Sequence, residues 1–141
     1  AAIFVTIIPV ADMIAAGPAG PAAPLFARLF ENGTPQDDVF FWATGVLSAV
    51  LDNAPTYLVF FDFAGGDARL LAGPLARTLA AISAGAVFCG ALTYVGNAPN
   101  LMVKAIVESH GIRMPGFFAY IGWAVVCLSP WLLLVDWIFF A

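Results

Sequence analysis

The chain has 141 residues, of which 62% are hydrophobic and only 10% charged, and its mean hydropathy is +0.96. Soluble domains carry roughly 45–50% apolar and about 25% charged residues, so this composition describes an integral membrane protein. Nine acids against five bases give a net charge of −4, and without any basic cluster nucleic acid and anionic lipid headgroups are poor candidates as partners.

The chain opens at Ala1 in mid-run, with no initiator Met, basic segment or small-residue cleavage site, and reads as a fragment of a longer protein. A chain of this length holds about three full spans plus one hairpin, too little to enclose a transport pathway without further helices or another subunit. Residues 1–16 read as the end of a span, interrupted by Pro9 and Asp12 and closed by Gly17-Pro18 and Gly20-Pro21. Asp12 is expected at the interface, with a proton-relay role as the alternative. Gly17, Gly20, Pro18, Pro21 and Pro24 preclude a regular helix, after which Leu25–Phe30 gives a short amphipathic turn with Arg28. Asn32-Gly33-Thr34 matches the glycosylation pattern, a three-residue match that arises often by chance and carries no assigned function. Thr34 is expected as a helix N-cap, with Pro35 at the first helical position and Asp37 and Asp38 in the positive first turn.

The run from Val39 to Val50 has about 12 residues and reaches about 18 Å, short of a hydrocarbon core of about 30 Å. It is broken at Leu51-Asp52-Asn53-Ala54-Pro55-Thr56, and Thr56–Phe63 resumes for only about two turns before Gly65-Gly66-Asp67. Two half-length pieces meeting at a polar tip describe a re-entrant hairpin over residues 35–64. A single kinked span through residues 39–63 is the competing arrangement. Arg69 and Arg77 flank a Leu-rich surface piece with Gly73-Pro74 as snorkelling arginines.

Thr78–Tyr94 is apolar and rich in small residues, a composition that lets helix backbones approach closely. It breaks at Gly96-Asn97-Ala98-Pro99-Asn100, repeating the Asn-Ala-Pro triplet of the first break, so that residues 76–109 form one broken span. Lys104 and Glu108 stand at i, i+4 spacing in the less favourable order, either as a solvated pair or as part of a cavity. Cys89 and Cys127 sit in apolar runs without metal-ligand spacing and read as packing residues. Residues 116–140 form the last and clearest span, with Trp123, Trp131 and Trp137 toward its ends and Asp136 as an interfacial acid, or a functional one. The single His, His110, lies at a helix end with no nucleophile motif, so no enzyme activity is expected.

Non-helical backbone survives at membrane depth only where protein or a water-filled cavity surrounds it, which makes both breaks site candidates. Pro55 and Pro99 lack an N–H and disfavour helix at the residue before them, so each helix must restart, presenting amides to the break while the preceding helix presents carbonyls. Amides suit anions and carbonyls suit Na⁺. Asn53, Thr56, Asn97, Asn100, Ser48 and Thr93 add neutral oxygens of the kind a hard cation takes. Asp52 is the most informative residue: a carboxylate near mid-bilayer is costly unless paired or protonated, which makes it a candidate to exchange a proton against a cation. It also serves as a possible N-cap for a helix beginning at Pro55. Asp52, Asn53 and Asn97 are the Na⁺ candidates.

Ser48-Ala49-Val50-Leu51-Asp52-Asn53-Ala54-Pro55-Thr56 resembles the hairpin tip, and Thr93-Tyr94-Val95-Gly96-Asn97-Ala98-Pro99-Asn100 the unwound helix, of the ion transporter superfamily. That superfamily includes sodium:proton antiporters of the NhaD type, arsenite pumps, and dicarboxylate and citrate carriers. The sequence is particularly similar to bacterial sodium:proton antiporters and citrate transporters over most of its length, covering only the C-terminal one of two inverted repeats. The resemblance implies an all-α membrane protein, a transmembrane helix bundle with a re-entrant helical hairpin and a discontinuous helix, and half of an inverted-repeat transporter. It further implies a bacterial inner membrane location, a missing N-terminal repeat and a homo-oligomer. Coupling ions, Na⁺ and H⁺, are expected in place of any cofactor. Dicarboxylate carriers of the superfamily have a Ser-Asn-Thr tip, whereas Asp52 here would repel a carboxylate. Sodium:proton antiport is therefore ranked above Na⁺- or H⁺-coupled symport of citrate or a dicarboxylate, with a non-transporting structural subunit as a third reading. Counting arginines puts the face carrying Arg28, Arg69 and Arg77 in the cytoplasm, whereas the resemblance puts the hairpin's open side outward.

Overall fold

The computed structural model describes residues 23–140, with residues 19–21 and Asp12. The span expected over residues 1–16 lies outside the described residues except for Asp12, which is exposed.

Helix α1, Ala23–Leu29, starts earlier than the prolines suggest because Pro24 falls in its first turn, where no N–H is needed. Its last residue, Leu29, is fully buried. Two short strands follow, β1 (Phe30–Glu31) and β2 (Thr34–Pro35), paired antiparallel with Phe30 opposite Pro35 and Glu31 opposite Thr34. Asn32 and Gly33 join them with φ of 53° and 80°, the pair of left-handed residues that a two-residue type I′ turn requires. The expected helix start at Thr34 and Pro35 is therefore corrected: both belong to the strand. The cap position of α2 (Asp37–Ser48) falls on Gln36, whose side chain makes no capping bond.

Asp37 and Asp38 do occupy the first turn of α2. Asp37 also reaches across the fold: Thr78 Oγ1 donates to its Oδ1 at 2.6 Å, and Arg77 Nε lies 3.3 Å from its Oδ2. The same Nε donates to the carbonyl of Phe139 at 2.8 Å. Arg77 is thus a tie between three helix ends, where the sequence suggested a snorkelling surface residue.

Helix α3 (Asn53–Phe63) runs back against α2, since the rings of Phe40 and Phe60 are 6.3 Å apart at one end while Ser48 meets Asn53 at the other. A short helix α4 (Ala68–Leu71), capped by Asp67 on the amides of Arg69 and Leu70, leads into α5 (Ala76–Cys89). Helix α5 packs along α2, and one glycine on each helix makes the crossing possible. A Cβ at Gly85 would stand 2.3 Å from the carbonyl oxygen of Phe41, and one at Gly45 would stand 2.5 Å from Cys89 Sγ. Around this seam Phe40, Phe41, Phe60, Phe63 and Ile82 form the core.

A 3₁₀ turn, Gly90–Leu92, ends α5, and helix resumes as α6 (Ala98–Ser109) and then α7 (Phe117–Phe139). No residue of α6 is buried. Helix α7 carries Pro130 without ending there, and among the described residues it is the one helix long and apolar enough to cross a membrane. Its Asp136 accepts from Trp42 Nε1 of α2 at 2.9 Å, while the other carboxylate oxygen is buried without a partner.

Candidate functional site

The site is built where the α2–α3 break meets the α5–α6 break. Ser48 closes α2, residues 49–52 are non-helical, and α3 starts at Asn53, so Pro55 sits inside its first turn. The helix expected to begin at Pro55 thus starts two residues earlier. Asp52 is its N-cap in extended conformation, with Oδ1 accepting from the Asn53 amide at 2.8 Å. The carboxylate itself is exposed. Thr56, fully buried, donates its hydroxyl to the carbonyl of Asp52 at 3.0 Å and so reinforces the same turn.

Three links join this turn to the second break. The Asn53 amide faces only acceptors, which places its nitrogen toward Ala86 O at 2.8 Å, Ser48 Oγ at 2.8 Å and Gly96 O at 3.0 Å. Ser48, itself fully buried, donates to the Ala86 carbonyl at 2.5 Å. Thr93 donates to the Ala49 carbonyl at 2.6 Å and accepts from the amides of Val95 and Gly96 at 3.1 and 2.8 Å. On the far side of the second break Asn100 Nδ2 bonds the carbonyls of Thr93 at 2.8 Å and Gly90 at 3.2 Å.

Two glycines make room for this meeting. A Cβ at Gly90 would stand 2.3 Å from the terminal amide atom of Asn53, and one at Gly96 would stand 2.7 Å from the carbonyl oxygen of Ser48. Ser48, Asn53, Thr93 and Asn100 are therefore brought into one polar network. Asp52 and Thr56 stand at its α3 side, and Asn97, half-buried at the cap position of α6, makes no side-chain capping bond. Beside Asn53 an apolar groove of about 500 Å³ opens between α3 and α5, lined also by Tyr57, Leu58, Ser83 and Val87.

Chemically the junction is rich in neutral oxygens. Carbonyls of Ala49, Ala86, Gly90 and Gly96 all accept from side chains at the junction, from Thr93, Ser48, Asn100 and Asn53 in turn, so oxygens outnumber charged donors there. The two helices that leave it differ: the positive N-terminus of α3 is already occupied by Asp52, while that of α6 has no side-chain cap.

The sequence carried no comparable signal for Tyr94 and Tyr120. Their rings stack at 4.0 Å, Tyr94 Oη donates to the carbonyl of Pro115 at 3.0 Å, and Tyr120 Oη donates to that of Ala91 at 3.1 Å. Together they brace the second break against α7. Lys104 Nζ lies 5.7 Å from the Tyr94 ring centroid and 2.6 Å from Glu108 Oε1. Among the described residues no group of three or more His, Cys, Asp or Glu could hold a metal ion.

A helical chain with two polar breaks joined inside it and a membrane-length helix beside them is the kind of structure that membrane transport uses. The family model described as "Putative citrate transport" matches residues 1–140, and the chain belongs to that family. Searches of the curated proteins and of the solved structures find no match. Family and membrane-length helix together describe an integral membrane transport protein and point to transport, not catalysis.

Proposed function

We propose that the chain supplies part of the binding site of a secondary transporter for citrate or a related carboxylate, coupled to a cation. Besides the family, one observation carries this reading: the difference between the two helix N-termini at the junction. The N-terminus of α6 at Asn97 has no side-chain cap, so the positive end of its helix dipole is left for a carboxylate, although Pro99 has no N–H and the Asn100 amide already donates to the Asn97 carbonyl at 2.9 Å. The carbonyls and the hydroxyl of Ser48 on the α2–α3 side suit Na⁺. Residues 35–64 would then act as a re-entrant hairpin and residues 76–109 as a discontinuous span in a bacterial inner membrane, completed by a further repeat.

The test is uptake of radiolabelled citrate by the full-length protein in proteoliposomes under imposed Na⁺ and pH gradients. Gradient-dependent uptake that Asn53→Ala and Asn97→Ala each reduce at least tenfold supports the reading; absence of uptake under every gradient overturns it.

A second reading, sodium:proton antiport, is favoured by the exposed carboxylate of Asp52 beside the junction, which would repel a carboxylate substrate arriving on that side. It requires Na⁺-dependent proton movement in inverted vesicles that Asp52→Asn abolishes. Unchanged exchange in that variant removes it.

A further inference from the structure

We infer that Lys104 is a substrate-recognition residue of the junction, held on Glu108 in the empty site and passed to a substrate carboxylate on binding. The inference rests on the carboxylate-transport reading and names the positive charge that it lacks.

Three observations place Lys104 at the break instead of in bulk surroundings. First, Asn100 and Lys104 stand one turn apart on the same face of α6, and they touch consecutive residues: Asn100 bonds the Thr93 carbonyl at 2.8 Å and Lys104 lies over the ring of Tyr94. This face of α6 is laid along the broken segment. Second, the Tyr94 ring is 2% exposed, stacked on Tyr120 and anchored through its hydroxyl, so the platform under the ammonium is rigid. Third, the Lys104 side chain is only 26% exposed against 43% for Glu108. The lysine is the covered member of the pair and the glutamate the open one.

Helical geometry connects this ammonium to the amides at the start of α6. Lys104 lies about 9 Å along the axis from Ala98, and release from Glu108, one turn further on, frees its side chain to lean back over the preceding turn. A polycarboxylate spans such a distance, one carboxylate at the positive N-terminal end of α6 and another on Lys104. Glu108 then plays the part of an internal competitor: its carboxylate is bonded to the ammonium at 2.6 Å until substrate replaces it.

The ion pair could instead merely stabilise α6, and the two roles predict different signs. If the pair is structural, breaking it from either end has the same effect. If Lys104 binds substrate, Lys104→Gln raises the KM for citrate roughly tenfold, the value of one charge-assisted bond. Glu108→Gln removes the competitor and lowers the KM, while Lys104→Arg keeps the charge and stays within about threefold of wild type. These values are read from citrate uptake by the full-length transporter in proteoliposomes, with the amount of folded protein measured by size-exclusion chromatography. Opposite shifts in Lys104→Gln and Glu108→Gln bear the inference out. Shifts of the same sign, or none, in a wild-type protein that transports citrate overturn this inference alone. A wild-type protein without citrate uptake overturns the transport reading and the inference with it.

Discussion

The hydroxyl of Thr93 donates to the carbonyl of Ala49 at 2.6 Å while it accepts from the amides of Val95 and Gly96, so one oxygen holds two broken helices together. Loss of that oxygen orphans a part-buried carbonyl and two amides at once.

Thr93→Val is therefore expected to cost about 1–3 kcal/mol of stability, the range for unsatisfied buried polar groups. Thr93→Ser, which keeps the hydroxyl, should cost less than half as much. The melting temperatures of the two variants in detergent check this, and equal losses would show that the methyl group matters more than the bond.

Gly45→Ala should destabilise by about 1–3 kcal/mol, because the new methyl meets Cys89 Sγ in a well-packed seam. Combined with Cys89→Ala the sulfur clash is removed and only a tighter contact with the residue 89 Cβ at 3.0 Å remains, so the double variant should be more stable than the two single losses add up to. Gly85→Ala has no such remedy, since its neighbour is the backbone oxygen of Phe41. A thermal-unfolding cycle over these variants shows whether the α2–α5 crossing is as close as described.

Trp42→Phe leaves Asp136 without its one described hydrogen bond, in a helix where its second oxygen already has no partner. A stability loss of about 1–3 kcal/mol follows. Pairing it with Asp136→Leu removes both polar groups and should recover most of that loss, because deleting both partners costs less than orphaning one. Failure of the pair to recover would show that Asp136 has a further partner.

Asp52→Asn tests charge separately from capping. Asn caps a helix about as well as Asp, so the melting temperature should hold, whereas Asp52→Ala should lose about 1 kcal/mol. Any transport defect shared by both variants then reflects the carboxylate; one confined to Asp52→Ala reflects the start of α3.

Much of the frame was legible because Pro and Gly punctuate it. The end of α2 and the starts of α3 and α6 fall within a few residues of the breaks read from Asn53-Ala54-Pro55 and Asn97-Ala98-Pro99, whereas α5 ends at Cys89, well before the expected break at Gly96-Asn97. The strand pair was missed although Asn32-Gly33 is a strong turn signal, because Thr34-Pro35 followed by two acids imitates a helix start. Within the site, residue type announced Ser48, Asn53 and Thr93. The roles of Gly90, Gly96 and Tyr94 depend on which backbone passes beside them, something no local pattern encodes. Arg77 is exposed, as a surface arginine is expected to be, but its ties to Asp37 and Phe139 were not legible because those partners are distant in sequence.

Helix α6 is fastened along its first two turns, through Asn100 and Lys104, and none of its 12 residues is fully buried. Such a helix is a lever. At 1.5 Å per residue it extends about 18 Å, so a tilt of about 10° at Asn97 would swing its far end by about 3 Å. Whatever surface lies against Leu101, Met102 and Ile106 in the assembled protein sets that angle, and through Asn100 it also sets the geometry of the junction.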